Sequence, residues 1–188
     1  MAILKAVHLG HPVLRKVSAR VDPAELARPE MQRFLDDMAD TMREYDGIGL
    51  AAPQVHVSRQ IALIDGELLR EDPKTPEIAR QLLVLINPRL RFETERRFLH
   101  WEGCLSVPGL RGRTPRVREL EVEALDRAGQ PLQFHAVGYL AAVVQHELDH
   151  LSGKVFLDRM QDLSTLTYLK EFKHFWVEDS DAEDELVT

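Results

Sequence analysis

The chain predicts an α+β fold: short, mostly antiparallel strands packed around a buried central helix, with a further helix at the C-terminal end. Three features carry that prediction. Residues 137–151, VGYLAAVVQHELDHL, are apolar nearly all the way round as far as Gln145, the pattern of a helix enclosed within a domain. Residues 117–125 alternate Leu120, Val122 and Ala124 against Glu119, Glu121 and Glu123, as a half-buried strand does. Asp126-Arg127-Ala128-Gly129 then turns the chain into a second alternating run, Leu132, Phe134 and Ala136, and this hairpin leads straight into the apolar helix.

The other elements follow in order. Ile3 to Val7 reads as a short strand, and Gly10-His11-Pro12-Val13-Leu14-Arg15 as a turn-rich connection; His8 and His11 have no assigned partner. Pro29 and Glu30 open a helix on which Met31, Phe34, Leu35, Met38, Met42 and Tyr45 recur at helical spacing, a core-facing stripe. Asp46-Gly47 ends it and begins Gly47-Ile48-Gly49-Leu50-Ala51-Ala52-Pro53-Gln54, where small residues let backbone approach a ligand or a neighbouring element closely. The spacing is not that of a phosphate-binding loop. Gln60 to Ile64, Leu82 to Ile86 and Leu90 to Leu99 read as strands, with 65–76 an exposed excursion and Asn87-Pro88 an interruption. Ser152-Gly153 stops the central helix and Val155 to Leu157 forms a short return. Leu163, Leu166, Leu169, Phe172, Phe175 and Trp176 give a last amphipathic helix packed on the core, with His174 at the surface.

At 188 residues with no internal repeat, one domain over residues 1–177 is expected, followed by an acidic, disordered tail at 178–188. The net charge of −7 is concentrated there: residues 178–185, EDSDAEDE, hold six carboxylates and no cation, which leaves about −1 for the rest. A nearly neutral body has no basic nucleic-acid footprint. The single cysteine, Cys104, excludes an internal disulfide and points to a reducing, cytoplasmic setting. No signal-like N-terminal segment or membrane-spanning run stands out.

The chemistry is concentrated in Gln145-His146-Glu147-Leu148-Asp149-His150. Helical residues four apart share a face, so His146 and His150 can turn both imidazoles toward one metal ion with Glu147 beside them. Such a pair with a free carboxylate suits metal-assisted amide hydrolysis, because the metal acidifies water and the carboxylate moves its proton. A catalytic site wants a third ligand and an open position. Cys104, in Trp101-Glu102-Gly103-Cys104-Leu105-Ser106-Val107-Pro108-Gly109, is the candidate.

The three stretches GIGLAAPQ, EGCLS and QHELDH, in this order and at these separations, resemble the signature motifs of the peptide deformylases, and the resemblance extends over about residues 3–160. It implies an α+β fold and an enzyme that removes the formyl group from N-formylmethionyl peptides, releasing formate. By the same resemblance Cys104, His146 and His150 ligate a divalent metal, Fe(II) or its substitutes Zn, Ni and Co. Glu147 is then the general acid/base, while the Gln54 side-chain amide and the Leu105 N–H face the oxyanion. Ile48, Gly49, Val143 and part of the His146 ring border the methionine pocket, and Arg111 lies near the bound peptide. Glu102 and Asp149 are candidates for orienting the metal ligands. Formylmethionyl peptides, and the ribosome that makes them, are the expected partners. Trp101 and the basic run Leu110 to Arg116 depart from the commonest pattern of the resemblance, which bears on preference at the pocket rim.

Two other readings compete. A zinc endopeptidase using the same helix would take a downstream third ligand, for which His174 is the only histidine available. A metal-stabilised binding module without catalysis would need a closed site of four ligands.

Overall fold

The computed structural model describes residues 2–69, 76–92, 96–177 and 186–187. In chain order it contains helices α1 (Pro23–Leu26) and α2 (Pro29–Glu44) and strands β1 (Gly49–Ala51), β2 (Ile61–Asp65), β3 (Leu82–Phe92), β4 (Arg97–Cys104), β5 (Val107–Val117), β6 (Glu119–Leu125) and β7 (Pro131–Val137). Helix α3 (Tyr139–Leu151), strand β8 (Thr167–Tyr168), helix α4 (Leu169–Phe175) and strand β9 (Leu186–Val187) complete it. Among the described residues the strands form two antiparallel sheets, ordered β1-β2-β3-β6-β7 and β8-β5-β4-β9.

The larger sheet is covered on both faces, which explains its unbroken apolar strands. Successive side chains of β2 point in opposite directions. Ile61 and Leu63, with Val84 and Ile86 of β3, pack against Leu35, Met38 and Met42 of α2. Ala62 and Ile64, with Leu83 and Leu85, join Leu120, Val122, Leu132, Phe134 and Ala136 against Leu140, Ala141 and Val144 of α3. The methionine stripe on α2 is therefore core, and α3 is enclosed as its composition predicts. Gly138 caps α3 at φ 59° and ψ −124°, a conformation open only to glycine, so the chain can turn directly from β7 into the helix.

The structure corrects the sequence reading in three places. Ile3 to Val7 forms no strand: its N–H groups go singly to other elements, Leu4 N–H to Thr41 Oγ1 at 2.8 Å and Val7 N–H to the Gln54 carbonyl at 2.8 Å. Asn87-Pro88 does not end β3, which bulges there and continues to Phe92, while β4 begins only at Arg97. Asn87 takes φ 52°, and its amide exchanges two 2.8 Å hydrogen bonds with the backbone of Val21. The basic run Leu110 to Arg116 forms the body of β5.

The third correction concerns the C-terminal helix, which is shorter than its periodicity suggests and buries none of its residues. Thr167 and Tyr168 pair with Arg111 and Leu110 on the edge of β5, so backbone pairing takes residues the apolar period would place in a helix. Phe172 and Trp176 instead pack on the Trp101 ring, at centroid distances of 5.0 and 5.7 Å. The acidic stretch 178–185 lies outside the described residues. Beyond it Leu186–Val187 does not end unpaired but joins β4 opposite Phe98 and Arg97. Among the described residues no helix is long and apolar enough to cross a membrane.

Candidate metal centre

The two sheets meet at α3, and the site lies at that junction. Strand β4 ends at Cys104, which pairs with Val107 across the two-residue turn Leu105-Ser106. This tight hairpin presents Cys104 Sγ toward α3, where His146 and His150 stand one turn apart. Ligand atoms of Cys104, His146 and His150 lie within 4.8 Å of one another, and all three residues are buried. Cys104 Sγ is 3.2 Å from His150 Nε2. Bonds of about 2.3 Å to sulfur and about 2.0 Å to nitrogen at a tetrahedral ion would set such a pair roughly 3.5 Å apart, so a modest relaxation admits the ion.

The electrostatics ask for the same thing. Burial pushes the Cys104 thiol up, but the charges and hydrogen bonds of His150 and His146 outweigh it and hold the group well below its ordinary value, as a thiolate. Ser106 N–H and Gln54 Nε2 also donate to this sulfur, at 3.3 and 3.4 Å. Glu102, likewise buried, accepts from Arg116 Nε and Nη2 at 2.6 and 2.9 Å and from His146 Nδ1 at 2.7 Å. Burial raises its pKa, yet Arg116 and His146 together bring it down to about 2. Occupation of His146 Nδ1 by Glu102 fixes the ring and leaves Nε2 to face the sulfur and the second imidazole. Two buried anions flanking two imidazoles form a receptacle for positive charge. The residues present therefore fit a divalent ion.

Glu147 sits beside this group with Oε2 buried and without a hydrogen-bond partner among the described residues. Burial raises its pKa to about 7, although His146 and His150 pull the other way. Gly49 makes room for it: a Cβ there would come within 2.3 Å of Glu147 Oε1. Gln54 lies in the short turn Ala52–Val55 after β1. Its Oε1 accepts from Ala51 N–H at 2.8 Å, so the amide is oriented with Nε2 toward Cys104 and Ser106.

A cleft of about 730 Å³ opens onto these groups, lined by Ile48, Gly49, Gln54, Cys104, Leu105, Arg111, Val143, His146 and Glu147. His150 lies behind them, fully buried. Every site residue expected from the sequence thus belongs to one cleft or its immediate backing. His8 and Tyr45, to which the sequence reading gave no site role, line it as well. His174 stands apart, exposed on α4 beside Phe175, so the downstream ligand of an endopeptidase is not supplied from there. The described ligand group has three members, not the four of a closed structural site.

Sequence reasoning missed the cation that organises the backing of the site. Arg116, buried in β5, also donates from Nη1 to Asp149 Oδ2 at 2.6 Å, and Asp149 accepts further from Arg159. Gln145 adds a clasp of its own, exchanging hydrogen bonds of 3.0 and 2.8 Å with the backbone of Val117. Only the basic character of 110–116 hinted at Arg116, and nothing in that run distinguished it from Arg111 or Arg113.

A buried Cys-His-His group, an adjacent unpaired carboxylate and an open cleft define a metal-dependent amide hydrolase. The family model described as polypeptide deformylase matches residues 3–165. Peptide deformylase 1 of Bordetella pertussis is 41% identical over 167 residues, covering 89% of this chain and 91% of that protein. Among solved structures, a class I type b peptide deformylase from Acinetobacter baumannii with Met-Ala-Ser bound aligns at a TM-score of 0.75 and 30% identity, covering 85% of this chain and 99% of that one. A Synechococcus elongatus peptide deformylase in complex with actinonin gives 0.74 and 36%, covering 95% and 90%. The chain belongs to the peptide deformylase family. It is a hydrolase that removes the N-formyl group from formyl-methionyl peptides.

Proposed function

We propose that Glu147, Gln54 and Leu105 carry this deformylation around one divalent ion, Fe(II) in the cell, held by Cys104, His146 and His150. The observation that carries the reading is the meeting of Cys104 Sγ with both imidazoles in a buried group beside a carboxylate whose Oε2 has no partner. When bound, the ion would supply a Lewis acid that lowers the pKa of water to about 7.

The chain's own groups do the rest. Glu147, with its pKa at about 7, takes a proton from the attacking water and returns one to the departing nitrogen. Its enclosure against Gly49 keeps bulk water from competing for that proton. As the C–N bond of the formamide breaks, water supplies an oxygen to formate and the peptide leaves with a free α-amino group. Gln54 Nε2 and the Leu105 N–H donate to the formyl oxygen as charge gathers on it; one such donor is typically worth about 2.7–4 kcal/mol. Because Ala51 holds Gln54 Oε1, the amide reaches that oxygen already oriented. Ile48, Gly49 and Val143 enclose the methionine side chain, and Arg111 lies along the following residues. The reading extends to a cytoplasmic enzyme acting on chains as they leave the ribosome, in keeping with a lone, unbridged cysteine.

Formate release from formyl-Met-Ala-Ser is the test, using protein loaded with Fe(II) or Ni(II) under low oxygen. The wild type should release formate with one ion per chain. Glu147→Ala should keep the ion and lose about 10²–10⁴-fold in kcat. An inactive, fully loaded wild type would defeat the proposal.

A further inference from the structure

The cleft is not apolar throughout, and its polar end is unaccounted for by the groups above. Tyr139, Val143 and His146 fall along one face of α3, spaced by four and three residues. At about 1.5 Å rise per residue, Tyr139 stands roughly 10 Å along the axis from His146. Between them Ile48, Ala142 and Val143 give an apolar wall, and at the far end the His100 ring of β4 meets that of Tyr139 at 5.0 Å. Both residues line the cleft. Neither the His100 ring nitrogens nor the Tyr139 hydroxyl hydrogen-bonds to any described residue. Burial pushes the pKa of His100 down to about 4, more than nearby Glu102 raises it, so the ring is neutral and offers one N–H donor. Tyr139 is 41% exposed and His100 half-buried, so both groups open onto the cleft and can donate to an occupant bearing an acceptor.

We propose that His100 and Tyr139 form a polar end-wall that reads the tip of the substrate's first side chain and favours a hydrogen-bond acceptor there. The inference rests on the deformylase reading and extends it to a further substrate, formyl peptides that begin with methionine sulfoxide. A thioether is a weak acceptor. A sulfoxide oxygen is a strong one, and the CH₂ at the same position of norleucine is none. The expected order is sulfoxide, then methionine, then norleucine. The chemistry is unchanged: water enters, formate and the free amine leave, and the sulfoxide is not altered.

The experiment measures kcat/KM of the metal-loaded enzyme on formyl-Met-Ala-Ser, its norleucine analogue and its sulfoxide analogue, for wild type, Tyr139→Phe and His100→Leu. The wild type should prefer sulfoxide over norleucine by about tenfold or more, the worth of about one hydrogen bond. Each variant should bring that ratio to about threefold or less, half of the same free energy. A selectivity ratio responds to recognition and not to a general loss of folding. If His100→Leu does not fold, Tyr139→Phe, which keeps the ring, decides alone. Formate from all three peptides at equal kcat/KM, or a ratio that survives in the folded variants, overturns this inference and leaves the deformylase reading standing. Formate from none overturns both.

Discussion

Replacing Arg116 by Met tests whether the charges behind the metal site act as one unit. The Arg116, Glu102 and Asp149 side chains are only 3, 4 and 6% exposed, and Arg116 bonds both carboxylates through three nitrogens. Methionine fills much of the volume but leaves Glu102 and Asp149 as buried carboxylates, Asp149 retaining only Arg159 among the described residues. Breaking a buried pair by removing one partner costs about 3–5 kcal/mol. At about 2–4 °C per kcal/mol for a chain of this size, Tm should fall by roughly 6–20 °C. Glu102 also holds His146 Nδ1, so loss of its anchor should weaken metal affinity by about 10–100-fold. Thermal unfolding of the metal-loaded protein and a chelator competition measure the two effects. Arg33→Ala, which breaks an exposed ion pair with Glu30 at 3.2 Å, is the control and should cost no more than about 1 kcal/mol. If Arg116→Met melts within about 2 °C of wild type and binds metal as tightly, the argument from buried charge is wrong.

Two further outcomes follow from particular contacts. Gly49→Ala places a Cβ within 2.3 Å of Glu147 Oε1, so the carboxylate must move. Deformylation should drop by about 10²-fold or more while elemental analysis still finds one ion per chain; near-normal kcat would show that Glu147 need not stay where it is. Arg15 and the Val155 N–H outweigh burial and hold Asp158 below its usual range, tying the N-terminal turn to the segment after α3. A depressed carboxylate stabilises the fold above its unfolded pKa of about 3.9 and loses that contribution as pH falls through the folded value. Asp158→Asn should therefore melt below wild type at pH 7, and the gap should close as pH drops below about 3.9. A gap that stays constant across that range would refute the linkage.

The regular elements were legible wherever one local rule decided them. Residues 117–136 alternate because one face of β6 and β7 packs on α3, and 137–151 lack a polar face until Gln145 because the helix is enclosed. The grouping of His146, Glu147 and His150 was legible because helical geometry alone sets residues four apart on one side. The signature stretches carried the family.

Other features depended on partners distant in sequence, and there local pattern misled or was silent. Ile3 to Val7 has strand composition but pairs with no strand among the described residues, and Asn87-Pro88 has loop composition yet lies in a bulge held by Val21. The apolar period at 163–176 is real, but the edge of β5 claims Thr167 and Tyr168, and Trp101 claims the aromatics. Among the basic residues of 110–116, sequence could not say that Arg116 is the one sealed between Glu102 and Asp149.

By itself the sequence determined which residue types could do the chemistry, the helix that carries most of them, and the family. Only the tertiary structure decided how Cys104 reaches the histidines, which cation backs them, and that His100 and Tyr139 line the cleft. The reason is physical: periodicity records which face of an element is buried, whereas a charge's partner, a bulge or an edge pairing is fixed by residues tens of positions away, and no local pattern encodes them.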